Sequence, residues 1–273
     1  MRRLTLIILI LCNLNSFSSY ILIPMDETQK NHLKAYGIAF ISIQNTGKVD
    51  WLINYRGGSF LIKNYSEIEK ECKLRGVSYI IISDAQSSKI LKSISSPSIN
   101  QDIVRLEKTP KIAIYSPKHN QPWDDAVTMV LEYSEIPYDV IYDKEILSGI
   151  LPIYDWLHLH HEDFTGQYGK FYASYKNTRW YKEQKTLFEE NAKKLGFNKV
   201  SKQKLKVSQN IKEYVMGGGF LFAMCSATDS YDIALASQNT DICAHMFDGD
   251  PIEVNAESKL DFSQTLLLKI LQL

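Results

Sequence analysis

The chain has 273 residues, 45% of them hydrophobic and 23% charged, and its 31 basic side chains are matched by 31 acidic ones. A disordered chain would be poorer in apolar residues and more lopsided in charge, and a collagen-like one would need far more Gly and Pro than 13 and 8. Zero net charge supplies no broad positive field, which argues against nucleic acid as a partner, and the length allows one large domain or two smaller ones.

Residues 1–19 read as a secretory signal peptide. Arg2 and Arg3 form a positive start, residues 4–14 are apolar except for Thr5 and Asn13, and the small residues Ser16, Ser18 and Ser19 follow, so cleavage is expected after Ser18 or Ser19. An apolar run of 11 residues, at about 1.5 Å per helical residue, cannot cross a hydrocarbon core of about 30 Å. No stable membrane span is therefore expected, and the chain is expected to be exported to a periplasmic or extracellular space. Cys12 follows a bulky Leu11, which does not suit lipoprotein processing. The mature chain would keep Cys72, Cys225 and Cys243, an odd number with no Cys-x-x-Cys spacing, so at least one thiol stays unpaired within it.

Taken in order, the pattern predicts a short strand at 19–23, a polar helix-compatible stretch at 26–36, and strands at 49–55 and 60–62 joined by the Arg56-Gly57-Gly58-Ser59 turn. That turn reads as a tight hairpin rather than an anion site. A helix is expected over 65–75, stopped by Gly76, then a strand at 77–83 and a helix at 84–94. Strands alternating with helices predict a mainly parallel sheet covered on both faces. Residues 93–102 have linker composition, and the pattern restarts with a strand at 111–115, a helix at 123–133, strands at 138–142, 153–159 and 220–224, and a helix at 204–215. The expected architecture is α/β: a small unit at 20–98 and a larger, doubly wound, three-layer unit at 107–273. The aromatic insertion at 164–200, with Tyr168, Phe171, Tyr172, Tyr175, Trp180 and Tyr181, would either cover a site or shield a sheet edge.

The most informative stretch is Gly217-Gly218-Gly219-Phe220-Leu221-Phe222-Ala223-Met224-Cys225-Ser226-Ala227-Thr228-Asp229. An apolar strand runs into a cysteine with small neighbours, and a helix-compatible segment follows. That is the sequence form of a nucleophile elbow, in which a sharp strand-to-helix turn lifts the side chain out of the sheet and the helix N-terminus offers N–H groups to an oxyanion. From residue 108 onward the chain resembles the class I glutamine amidotransferase-like family, a flavodoxin-like fold, and in particular exported members labelled asparagine synthetase B. The resemblance implies Cys225 as nucleophile attacking a carboxamide, with Gly218, Gly219, Ser226, Thr228 and Asp229 holding the substrate. The sequence departs from the family's Gly-x-Cys-x-Gly at Ala223 and Ala227. A base is also wanted: downstream only His245 is present, near Asp248 and Asp250, and no His-x-Glu pair follows, which points to a truncated or degenerate domain.

Upstream, His158, His160, His161, Glu162 and Asp163 cluster at a strand end. Strand alternation puts His158 and His160 on one face and His161 on the other. His160, His161 or Glu162 could serve Cys225. Without a spaced third ligand no metal is expected, and no phosphate-binding loop calls for a cofactor. Two functions stay open. The Ala flanks and the missing downstream pair favour a degenerate, ligand-binding or assembly component whose partner is a small-molecule carboxamide or a protein, while the elbow favours a cysteine-dependent amidohydrolase or amidotransferase.

Overall fold

The computed structural model describes residues 19–117, 126–168 and 171–266; the expected signal segment at 1–18, the first turn of the helix expected from Trp123 and the apolar run at 267–273 lie outside them. The chain divides into two compact units, one holding the residues up to Thr109 with Ala126–Ile136, the other holding the rest. Among the described residues no helix is long and apolar enough to cross a membrane.

The first unit runs β1 (Ser19–Ile23), α1 (His32–Thr46), β2 (Val49–Ile53), β3 (Ser59–Lys63), α2 (Ser66–Leu74), β4 (Ile80–Ser83), α3 (Asp84–Ile94) and β5 (Asp102–Leu106), and adds α4 (Ala126–Ser134). Its sheet has the order β4-β1-β3-β2-β5 with every neighbouring pair antiparallel, which corrects the expected parallel sheet. The β-α-β crossovers exist, but each is split. The tight turn after β2 folds β3 back between β1 and β2, and β1 lies between β3 and β4. Cover on both faces does hold. Ile21, Ile23, Phe60 and Ile62 pack with Ala35, Ile38 and Ile43 of α1 and Ile68 and Cys72 of α2, while Leu22, Leu52, Leu61 and Ile82 pack with Ile94 of α3. Each such Ile or Leu contributes about 1.5–3 kcal/mol when fully buried.

Three boundaries differ from the pattern reading. Residues 26–31 precede α1 instead of forming it, because Asp26 accepts from the Thr28 amide (3.1 Å) and pairs with Arg56 Nε (2.6 Å) of the β2–β3 turn. That guanidinium holds the Asp26 carboxyl down at about 2. The helix starts where the Asn31 side chain accepts from Lys34 N (3.1 Å) and ends at Gly47, with φ 79°. β5 lies where linker composition had suggested a boundary, as a short edge strand paired to β2. Finally, α4 belongs to the first unit: Glu135 just after it binds Lys34 (2.6 Å) and Arg75 (2.5 Å), and Asn31 donates to Tyr133 (2.7 Å).

The second unit runs β6 (Ile112–Tyr115), β7 (Asp139–Ile141), α5 (Asp143–Leu147), a 3-10 turn (Leu151–Ile153), β8 (Trp156–Leu159), α6 (Phe171–Tyr175), α7 (Arg179–Lys194), α8 (Val200–Met216), β9 (Phe220–Ala223), α9 (Ser226–Ala236) and α10 (His245–Asp248). The strands are all parallel, in the order β7-β6-β8-β9. Ala113, Tyr115, Leu157 and Leu159 share one face, covered by Val207, Ile211 and Tyr214 of α8 and Ala227, Tyr231 and Leu235 of α9. On the opposite face Ile112, Ile114 and His158 are buried, while Val140, Phe220 and Phe222 are exposed. The described residues therefore form a mixed α/β unit on a four-stranded parallel sheet, in place of the clear three-layer, doubly wound sandwich expected.

The close contact between α1 and the end of α4 sets a test. A Cβ on Gly37 of α1 would lie 2.0 Å from the Ser134 carbonyl oxygen at the end of α4. Gly37→Ala must push α4 away, and a loss of about 1–3 kcal/mol is expected in urea unfolding.

Candidate functional site

β9 turns into α9 through Met224 and Cys225. The Met224 amide donates to the Leu159 carbonyl (2.9 Å), extending the β8–β9 ladder by one bond, and Cys225 then takes φ 53° and ψ −137° as the cap residue of α9. A non-glycine residue at positive φ in this region costs about 1–3 kcal/mol and persists only where its surroundings enforce it. The enforcing contacts come from the chain just past β8. The carbonyls of three successive residues each accept from the start of α9: His160 from the Ala227 amide (3.2 Å), His161 from Ser226 Oγ (2.8 Å) and Glu162 from Ser230 Oγ (3.1 Å).

This stitching brings the upstream histidines to the cysteine. A ring nitrogen of His160, a ring nitrogen of His161 and Cys225 Sγ all lie within 4.8 Å of one another, with the two imidazole centroids 3.6 Å apart. His161 thus stands beside His160 rather than on the opposite face, because regular strand geometry ends at Leu159 and alternation no longer applies. His160 is buried, His161 half-buried and Cys225 exposed. His158 is a core residue whose Nδ1 sits 3.0 Å from the Phe222 carbonyl oxygen. The downstream candidate His245 opens α10 outside this group, and its acidic neighbours Asp248 and Asp250 hold Lys199 (3.0 and 2.6 Å).

A cavity of about 330 Å³ lies at the C-terminal edge of the sheet, and of the trio His161 is in its lining. His161, Glu162, Ser226, Asp229 and Ser230 line one side, and Tyr168, Phe171, Gln184 and Phe188 from the aromatic insertion line the other, so the insertion does wall the site. Thr228 Oγ1 turns back to donate to the Cys225 carbonyl (2.5 Å). Gly218 and Gly219 are not at the site. They join α8 to the start of β9, a strand length of roughly 13 Å from Cys225. Gly218 takes φ 100°, a conformation L side chains rarely adopt, and a Cβ on Gly219 would fall 2.2 Å from the Tyr214 ring.

The pattern reading missed Lys204. It projects from α8 with 2% exposure, and its Nζ lies 2.9 Å from Asp143 Oδ1, 2.7 Å from the Tyr115 hydroxyl and 3.0 Å from the Tyr142 hydroxyl. Tyr115 also donates to Asp143, and Asn191 Nδ2 donates to its other oxygen (3.0 Å). Burial, reinforced by the Asp143 charge, pushes the Tyr115 hydroxyl well above its ordinary range, so it remains a donor. The ammonium sits 4.3 Å from the Tyr142 ring centroid, and Lys204 and Tyr142 both reach the cavity wall. The legible signal was spacing: Lys204 falls in register with Val207, Ser208 and Ile211 on the inward face of α8. Removing one member of such a buried pair costs about 3–5 kcal/mol.

The thiols contrast sharply. Burial raises Cys72 and Cys243 each to about 12, while Cys225 is exposed, next in sequence to Ser226 of the cavity lining. No family model, curated protein or solved structure matches the chain.

The elbow predicts an order of stabilities. At positive φ glycine is unstrained but loses more entropy on folding than alanine. Cys225→Gly is therefore expected to be more stable than Cys225→Ala by about 1 kcal/mol in urea unfolding. Equal stabilities would mean that position 225 is not strained.

Proposed function

We propose that the second unit is a cysteine-nucleophile amidase of the class I glutamine amidotransferase-like kind, acting on a small carboxamide in an exported protein. The observation that carries this reading is the strained Cys225 turn, with two imidazoles within 4.8 Å of its sulfur. The strand order β7-β6-β8-β9 supports the fold assignment, since it is the second-first-third-fourth order that begins a flavodoxin-like, doubly wound sheet. Export fits the first strand: cleavage after Ser18 would leave β1, which starts at Ser19, whole.

In this reading the carboxamide enters the cavity with its carbonyl carbon against Cys225 Sγ. His161, the imidazole on the cavity wall, takes the thiol proton as the sulfur bonds to carbon, and His160 packs against it and fixes its plane. The negative charge that develops on the carbonyl oxygen is met by the Ser226 amide, the first N–H after the nucleophile, and by the positive end of α9. His161 returns the proton to the departing nitrogen, ammonia leaves, and water attacks the thioester to release the carboxylate and restore the thiol. Glu162 and Asp229 on the cavity wall meet polar groups of the remaining substrate.

One feature favours a second reading. Alanine stands at 223 and 227 where glycine flanks the family cysteine, which suits a domain that binds a carboxamide or a protein without turning over. Ammonia release from glutamine and asparagine separates the two. The amidase reading expects turnover by the full chain, background rates for Cys225→Ala, and a fall of about 10²–10⁴-fold in kcat/KM for His161→Ala. Carboxamide binding without ammonia release would overturn it in favour of the binding component.

A further inference from the structure

We propose that Cys225, His160 and His161 together form a site for one zinc ion, and that zinc held there is a reversible block on the thiol. The inference shares the amidase reading's side chains but not its chemistry, since ligation needs no turnover. Among the described residues these three make a group of metal-ligating atoms within 4.8 Å of one another. Donors around a tetrahedral zinc, at about 2.0–2.3 Å from the ion, stand about 3.3–3.7 Å apart. Closing the remaining gap takes about 1 Å, within reach of side-chain rotation at exposed Cys225 and half-buried His161 with the backbone left in place.

Three observations make this arrangement more than a chance cluster. The backbone that carries both imidazoles is tied to the turn that carries the sulfur by the bonds from Ala227, Ser226 and Ser230, so the entropy of gathering ligands from separate elements is spent during folding. The donor set is one sulfur and two nitrogens, which selects zinc and similar soft or borderline ions over magnesium and calcium, both of which need oxygen. Three protein ligands also leave a fourth position for water, and one of the three, His161, lines the cavity. On binding, the Cys225 S–H bond breaks, a sulfur–zinc bond forms and the proton passes to solvent, so binding strengthens as pH rises. The sulfur lone pair then belongs to the metal, and a carboxamide cannot be attacked until a chelator removes it.

Cobalt(II) substitution in the full chain tests this independently of any substrate. A near-ultraviolet sulfur-to-cobalt charge-transfer band saturating at one metal per chain, displaced by zinc, is expected. The band should vanish in Cys225→Ala, zinc affinity should fall about tenfold or more in His161→Ala, and His245→Ala should leave both unchanged. Absence of the band in the wild type, or its survival in Cys225→Ala, would overturn the proposal. Band formation by a chain whose metal-free, chelator-treated form releases no ammonia would leave the zinc site standing and count only against the amidase reading.

Discussion

The second unit turns on one backbone constraint. β9 runs parallel to β8, so both strands end at the same edge of the sheet, and α9 begins at Ser226 with only Met224 and Cys225 between. Within this abrupt reversal one residue, Cys225, takes a conformation that L side chains avoid. The three bonds from α9 to the carbonyls of residues 160–162, at about 1 kcal/mol each, match the strain in size. The same bonds fix where His160 and His161 stand. Strain, histidine placement and thiol exposure are thus consequences of a single turn.

The cavity next to that turn is held open by a different kind of interaction. Lys204 ties α8 to the end of β6 through Tyr115 and to the start of α5 through Asp143, with aromatic rings around the ammonium. Such a network contributes more to a fixed arrangement than to net stability, because the desolvation of both charges consumes much of their attraction. Gly166, at φ 79°, adds a steric element: a Cβ there would lie 2.8 Å from the Ser201 backbone, so the loop after β8 can press against the first turn of α8 only as glycine.

Much of the second unit was legible in the sequence, because its parallel strands are short apolar runs with helical patterns between them, and the cysteine after Phe220–Ala223 marked the elbow. Cys225, His160 and His161 were legible as residue types but not as a cluster. Strand alternation, valid as far as Leu159, placed His161 on the wrong face. Gly218 and Gly219 were misplaced for a related reason: closeness in sequence to a nucleophile does not survive the length of a strand. The first unit was read with the wrong sheet type, since helix–strand alternation is common to parallel sheets and to split β-α-β units, and only pairing partners distinguish them. Lys204 escaped notice because a lysine on an apolar helix face is ordinarily drawn to the solvent.

In the proposed chemistry the turn at Cys225 presents a nucleophile to a carboxamide next to His160 and His161. Mass analysis of the intact chain after exposure to a chloromethyl-ketone analogue of glutamine tests it most directly. One adduct per chain is expected, on the Cys225 peptide, strongly slowed when both histidines are replaced, with Cys72 and Cys243 unmodified. Alkylation of Cys225 at the same rate with and without the two histidines would contradict it.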